Sequence, residues 1–197
     1  MQLLWLLIFF TVLLWSAVNP HDYPTWLLET SPALIALLVI ALTRRSFPLT
    51  PLLYVLVLLH SILLMVGGHY TYAEVPLFDS IAEALGHQRN NFDKLGHFVQ
   101  GFVPAIATRE ILIRLEIVNG RGWLNVIVVS ICLAISAIYE LLEWLTAEIM
   151  GGSADAFLGT QGYVWDTQSD MALALLGAVT ALLLLGRLHD DQLQQLR

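Results

Sequence analysis

From Pro51 to Gly67 the chain reads PLLYVLVLLHSILLMVG, a run with no Asp, Glu, Lys or Arg. Crossing the hydrocarbon core of a bilayer takes about 20 mainly apolar residues, and this run with its flanks supplies them. Working outward, similar runs lie at about 2–18, 26–43, 94–114, 123–147 and 166–187. The reading is an all-α, polytopic membrane protein, a single bundle of about six transmembrane helices forming one domain over residues 1–197.

Composition supports that solvent. Hydrophobic residues make up 57% and charged residues 13% of the chain, with a mean hydropathy of +0.72. A soluble core of this size cannot hide so much apolar surface, so lipid must cover it. The net charge of -7 matters less than where the acids fall, because a charge inside an apolar span is costly. Breakers separate the runs at Asn19-Pro20, Pro48 and Pro51, Gly67-Gly68, Asn119-Gly120 and Gly151-Gly152, with Gly159 and Gly162 beyond.

Loop arginines predict orientation. Arg44 and Arg45, Arg114 and Arg121, and Arg187 and Arg197 all fall on one side when the helices alternate, and the opposite side carries Arg89 with Lys94 at its border. The positive-inside rule then puts both termini in the cytoplasm of a bacterial cell, with the protein in the inner membrane. Trp15, Trp26, Trp144 and Trp165 fall at outer helix ends and Trp5 and Trp123 at inner ones, as an aromatic belt requires. The first run lacks a basic leader and a small-x-small cleavage site, so it is expected to stay as a helix.

Two outer loops carry structure of their own. Asp79 to Gly86, with an acid as N-cap and a glycine stop, predicts a short amphipathic helix along the interface. The stretch Gly151 to Trp165 mixes glycines with Phe157, Leu158, Tyr163 and Trp165, a lid over the helix ends.

The chemistry sits in three pairs at helical spacing: Asp93 with His97, Glu140 with Glu143, and Asp166 with Asp170. Each pair shares one helix face, and alternation brings all three to the outer level. Asp93 and Asp166 each have a plainer reading as N-caps. His97, Glu140 and Asp170 lie too far inside their helices for that. Glu140 has apolar neighbours, so its expected partners are Lys94, His97 or a bound metal. Several carboxylates against one lysine leave excess negative charge, which a divalent cation, a proton or a cationic substrate group would settle. Asp93, His97, Glu140, Asp166 and Asp170 are the expected metal ligands, a donor set suited to zinc, manganese or iron. His97, Glu140 and Asp166 are the expected catalytic residues, with Glu143, Lys94 and His69 as further members.

Other polar residues read as structural. His60 sits mid-run and His69 at the outer end of the same helix, which makes His69 the better ligand. Glu110 and Arg114 form an i, i+4 pair at the inner interface, and Arg109 snorkels to the inner surface. Cys132, in an apolar run, is a packing residue. With no phosphate loop, serine elbow or continuous basic patch, nucleotide binding, acyl-serine chemistry and nucleic-acid binding drop out.

The strings Gly67-Gly-His-Tyr-Thr-Tyr72, Asn91-Phe-Asp-Lys-Leu-Gly-His-Phe98, Ser136-Ala-Ile-Tyr-Glu-Leu-Leu-Glu-Trp144, Phe157-Leu-Gly-Thr-Gln-Gly162 and Trp165-Asp-Thr-Gln-Ser-Asp170 resemble the bacterial YjdF family over nearly the whole chain. That resemblance implies an inner-membrane location and a topology, and leaves the activity open. A fainter resemblance is to VanZ-like membrane proteins, carried by Asp93, Lys94, His97, Phe98, Glu140 and Asp166. Glu143 and Asp170, where that pattern commonly has Gln and Asn, make this site more acidic.

The expected function is a membrane enzyme acting on a lipid or lipid-linked envelope substrate. The alternatives are a small proton-coupled transporter or scramblase, and a non-catalytic membrane protein whose polar cluster fixes packing. The expected partners are membrane lipids and a lipid-linked substrate; the cofactor, if there is one, is a divalent metal.

Overall fold

The computed structural model of the chain describes residues 2–150 and 161–196. All regular structure among them is helical: α1 Gln2–Ser16, α2 Tyr23–Thr43, α3 Pro51–Tyr70, α4 Pro76–Leu85, α5 Phe92–Arg114, α6 Arg121–Met150 and α7 Asp166–Gln195. The proposed lid at Gly151 to Trp165 lies outside the described residues as far as position 160.

The caps explain where helices begin. Asp22 accepts from the Thr25 amide at 2.8 Å, with Pro24 just inside the first turn of α2. That hydrogen bonding holds the Asp22 carboxyl below its usual range. Thr50 caps α3 ahead of Pro51 in the same way. The short helix α4 starts earlier than expected. Its N-cap is Val75 and Asp79 lies within its first turn, because Pro76 supplies the preset φ that opens a helix. Gly86 ends it at φ 68°, in the left-handed region that glycine adopts freely.

Four helices, α2, α3, α6 and α7, are long and apolar enough to cross a membrane. The other two of the six expected crossings differ in kind. With 15 residues, α1 is about 22 Å long at 1.5 Å per residue. α5 carries Asp93 and Lys94 near one end and Arg109, Glu110 and Arg114 at the other, and is covered by α3, α6 and α7. Its charges meet protein rather than lipid.

Helices α5 and α7, the closest neighbours, run parallel, as do α1 and α3. Trp5 Nε1 donates to the Tyr54 carbonyl at 2.8 Å, and the Gln192 carboxamide accepts from the Leu52 amide at 2.8 Å. The starts of α1 and α3 and the finish of α7 therefore share one end, called the far end below. The starts of α5 and α7 meet at the other, the site end.

The closest packing is between α5 and α7. A Cβ on Gly101 would strike the Ala174 carbonyl, and one on Gly177 the Phe98 carbonyl. Backbone lies on backbone, as small residues permit at membrane helix crossings. Ala105, Ala178 and Ala181 continue this seam, all fully buried.

The far end bears out one expectation and corrects another. Glu110 pairs with Arg114 at 3.0 Å as expected and is fully buried: it also accepts from the Thr50 amide at 3.0 Å and hydroxyl at 2.7 Å, and faces His189 Nε2 at 3.1 Å. Arg109 does not snorkel. It turns inward to His189 Nδ1 at 2.9 Å and Asp190 at 2.6 Å. Ionisable groups thus gather at both ends of the bundle, the second network having formed because His189 and Asp190 on α7 face α5. A Glu110→Ala protein would leave several buried donors without an acceptor, at a cost of about 3–5 kcal/mol. Thermal unfolding in detergent checks this, and the expected result is a large fall in midpoint.

Candidate functional site

At the site end the first turns of α5 and α7 lie side by side because Gly101 and Gly177 let their axes approach. That closeness interlocks their charges. Lys94 Nζ sits 2.7 Å from Asp166 Oδ1, 2.7 Å from Asp170 Oδ1 and 2.6 Å from Ser169 Oγ. Arg89, from the loop before α5, pairs with Asp93 at 3.1 Å and with Asp166 at 2.7 Å. Tyr163 covers both cations, its ring centre 5.6 Å from the Arg89 guanidinium and 5.3 Å from Lys94 Nζ.

Asp93 and Asp166 therefore do not act as the expected helix caps. Asn91 and Trp165 occupy those positions, and neither makes a side-chain cap bond. Both aspartates belong instead to an ion-pair network buried within the protein.

His97 joins this network to α6. Its Nε2 is 3.3 Å from Asp93 Oδ1, its Nδ1 is 3.1 Å from Gln100 Oε1, and the same Nδ1 is 3.7 Å from Glu140 Oε1. An oxygen thus lies near each ring nitrogen of His97. Glu140 is 8% exposed, and its Oε1 has no hydrogen-bond partner among the described residues. A buried, unbonded carboxylate oxygen is costly enough to call for a ligand, water or proton.

The structure brings all five expected site residues together, with different immediate partners. Ligand atoms of Asp93, His97 and Asp170 lie within 4.8 Å of one another, close enough to hold one metal ion. Asp166 is engaged by Arg89 and Lys94, and Glu140 borders the group through His97.

Below the charges lies a cavity of about 310 Å³. Asp93, His97 and Glu143 line its polar end; His60, Leu64 and Ile135 are among the residues deeper in the wall. It lies between α2 and α6, which do not pack along each other. One hydrogen bond spans that gap, from the Tyr139 hydroxyl to Glu29 Oε2 at 2.8 Å. Ile138 and Leu142, on the lining, are 57% and 53% exposed, so the wall is continuous with the lipid-facing surface.

Sequence reasoning missed Glu29, Tyr72, Arg89, Tyr139 and Ser169 here. It also ranked the histidines of α3 the wrong way round. His69 Nδ1 binds the Ser16 carbonyl at 3.0 Å and its ring packs on Trp15 and Tyr70, tying α3 to α1. His60 is the one on the cavity wall.

The glycine-rich Gly67 to Tyr72 stretch also gains a reason. The Tyr72 ring lies against Gly67 on α3 and Gly96 on α5, where a Cβ at either position would collide with it. Thr71 and Tyr72 both take left-handed backbone, φ 59° and 56°, to turn that ring back onto the cavity.

The outer loops brace the site. Asn90 donates to the Val75 carbonyl at 2.9 Å and to Asp79 at 2.7 Å, while the Gln161 carboxamide pairs with both backbone groups of Asn90 at 3.0 and 2.9 Å. Helix α4 is thus anchored to the loop that carries Tyr163.

Residues 1–191 match the family described as predicted membrane protein (DUF2238). The chain belongs to that family. It is 53% identical over 184 residues to the inner membrane protein YjdF of Escherichia coli (strain K12), an alignment covering 93% of this chain and 88% of that protein. No solved structure matches. Membership in DUF2238 agrees with the apolar helices: this is a membrane protein homologous to one of the inner membrane.

Proposed function

We propose that the charged cluster and the cavity beneath it form a site for a lipid or lipid-linked envelope substrate, entered from the bilayer between α2 and α6. The observation that carries this reading is the continuity of one cavity from buried charge to lipid-facing apolar wall. A substrate with a polar head and long chains has that same division. In this reading the chain crosses the inner membrane six times with both termini in the cytoplasm, from the arginine bias of the loops, and the site faces the outer leaflet.

His97 and Glu140 are the proton-transfer pair, 3.7 Å apart, with Asp93 orienting the imidazole from its other nitrogen. Asp166 holds Lys94 and Arg89 beside Asp93 and Asp170, fixing the first turns of α5 and α7 around the pair. The test is mass spectrometry of the lipids that co-purify with the wild type and with Glu140→Gln. One species enriched several-fold in the variant is the expected result. Identical profiles count against catalysis, and the absence of bound lipid from both counts against the site.

A divalent metal on Asp93, His97 and Asp170, with Glu140 and Asp166 beside it, would supply a Lewis acid in the same place. Lys94 and Arg89 already pair with Asp93, Asp166 and Asp170, two cations against three carboxylates, so a metal would compete with them for a cluster that keeps one negative charge. Metal analysis of the wild type and Asp170→Asn discriminates: one ion per chain, lost in the variant, would establish the metal form.

A proton-coupled carrier is the second reading, favoured by His60 on the cavity wall midway along α3. Proton uptake into liposomes driven by a pH gradient, and abolished by His60→Phe, would support it.

A further inference from the structure

The far end carries a second cavity, of about 220 Å³, between the start of α6 and the later turns of α7. It shares no residue with the site-end cavity. Three arginines border it, and they are not equivalent. Arg109 is spent internally on His189 and Asp190. Arg121 has a side chain 92% exposed, and its one ion pair is a 4.0 Å contact with Asp190, whose other oxygen already holds Arg109. Arg187 is exposed and has no ion pair or hydrogen bond among the described residues. Asn125, also exposed, adds an amide at the same opening.

The remainder of the cavity is apolar. Leu182 and Leu183 continue from Arg187 toward the middle of the bilayer, and Leu183 is 79% exposed. At Gly186 a Cβ would meet nothing within 4 Å, so the groove is open where the arginines meet the leucines. Trp123, 68% exposed and two positions beyond Arg121, places this opening at interfacial depth.

We propose that this groove binds an anionic phospholipid, its phosphate held by Arg121 and Arg187 and an acyl chain lying along Leu183. Charge complementarity selects the occupant. Three arginines against one aspartate leave the rim at +2, and a basic pocket between helices at a membrane surface suits an anionic head group. A zwitterionic lipid brings its own cation to the same rim and gains less. Arginine offers the paired N–H geometry that a phosphate diester accepts.

The experiment is native mass spectrometry of the full chain in detergent, titrated with phosphatidylglycerol, phosphatidylcholine or inorganic phosphate. Phosphatidylglycerol is expected to bind the wild type about tenfold or more tightly than phosphatidylcholine. The Arg121→Gln/Arg187→Gln variant should lose roughly that factor, and Arg45→Gln, at the same end, should lose none. Equal binding of the two lipids would overturn the proposal, as would full affinity in the double variant or displacement of the lipid by millimolar inorganic phosphate. Should the double variant fail to fold, Arg187→Glu carries the test: its side chain is exposed and has no ion pair among the described residues, and undiminished phosphatidylglycerol binding by it would equally overturn the proposal.

Discussion

A Lys94→Met protein is expected to lose about 3–5 kcal/mol of stability, enough to deplete the folded form of a membrane protein of ordinary stability. One ammonium compensates Asp166 and Asp170 and donates to Ser169, all within 2.7 Å. Its side chain is only 18% exposed, so water replaces it poorly. Removing one partner of a buried pair leaves the other's desolvation uncompensated, the costly half of the exchange. Replacing Lys94, Asp166 and Asp170 together with methionine, asparagine and asparagine should recover most of the loss, because no buried carboxylate on α7 is then stranded. Unfolding midpoints of the single and triple variants in one detergent decide it. Equal destabilisation in both would mean that Lys94 contributes packing rather than charge.

The second large effect belongs to Gly101. A valine there must displace the Ala174 carbonyl, which is backbone of the facing helix and has no rotamer to give. Overpacking that side chains can absorb costs about 1–3 kcal/mol; separating α5 from α7 exceeds that and also pulls Lys94 from its carboxylates. Gly101→Val is therefore expected to lose both the folded bundle and the site. Gly122→Ala, where a Cβ would meet nothing within 4 Å, should behave as wild type. Size-exclusion profiles compare the two directly, and a monodisperse Gly101→Val peak at the wild-type volume would refute the close crossing.

Tyr139→Phe should act more gently. It removes the hydrogen bond that, among the described residues, spans the gap between α2 and α6, leaving Glu29 without that donor, so about 1–3 kcal/mol of stability is at stake.

How much of this was legible in the chain follows from what hydropathy and spacing encode. An apolar run such as Pro51 to Gly67 states its own length, so most helix positions were readable to within a few residues, but α7 continues past the expected end at 187 to Gln195, because its polar last turns carry no hydropathy signal. Spacing states which residues share a face, so Asp93 with His97 and Asp166 with Asp170 were readable as pairs. Neither quantity states which face meets which neighbour. Arg89 was read as a loop charge because its partners lie on α5 and α7, and Arg109 as a snorkelling residue because His189 and Asp190 lie some eighty positions away. The small residues Gly101, Ala174, Gly177, Ala178 and Ala181 carry the close crossing, and hydropathy does not distinguish them from any other apolar stretch. His60 and His69 were ranked by depth, whereas rotation about α3 decides their roles: one faces the cavity and the other the end of α1.

The account rests on a substrate chain reaching buried charge through the side of the bundle. The most direct test is photolabelling in liposomes with a phospholipid whose diazirine lies next to its head group, the labelled residues being located by mass spectrometry. The account predicts label on His97, Tyr139 and Glu143, which line the cavity, competed away by excess unlabelled lipid. Label confined to Trp144 and Leu145, exposed on the outer surface of the same helix, with none on the cavity residues, would contradict it.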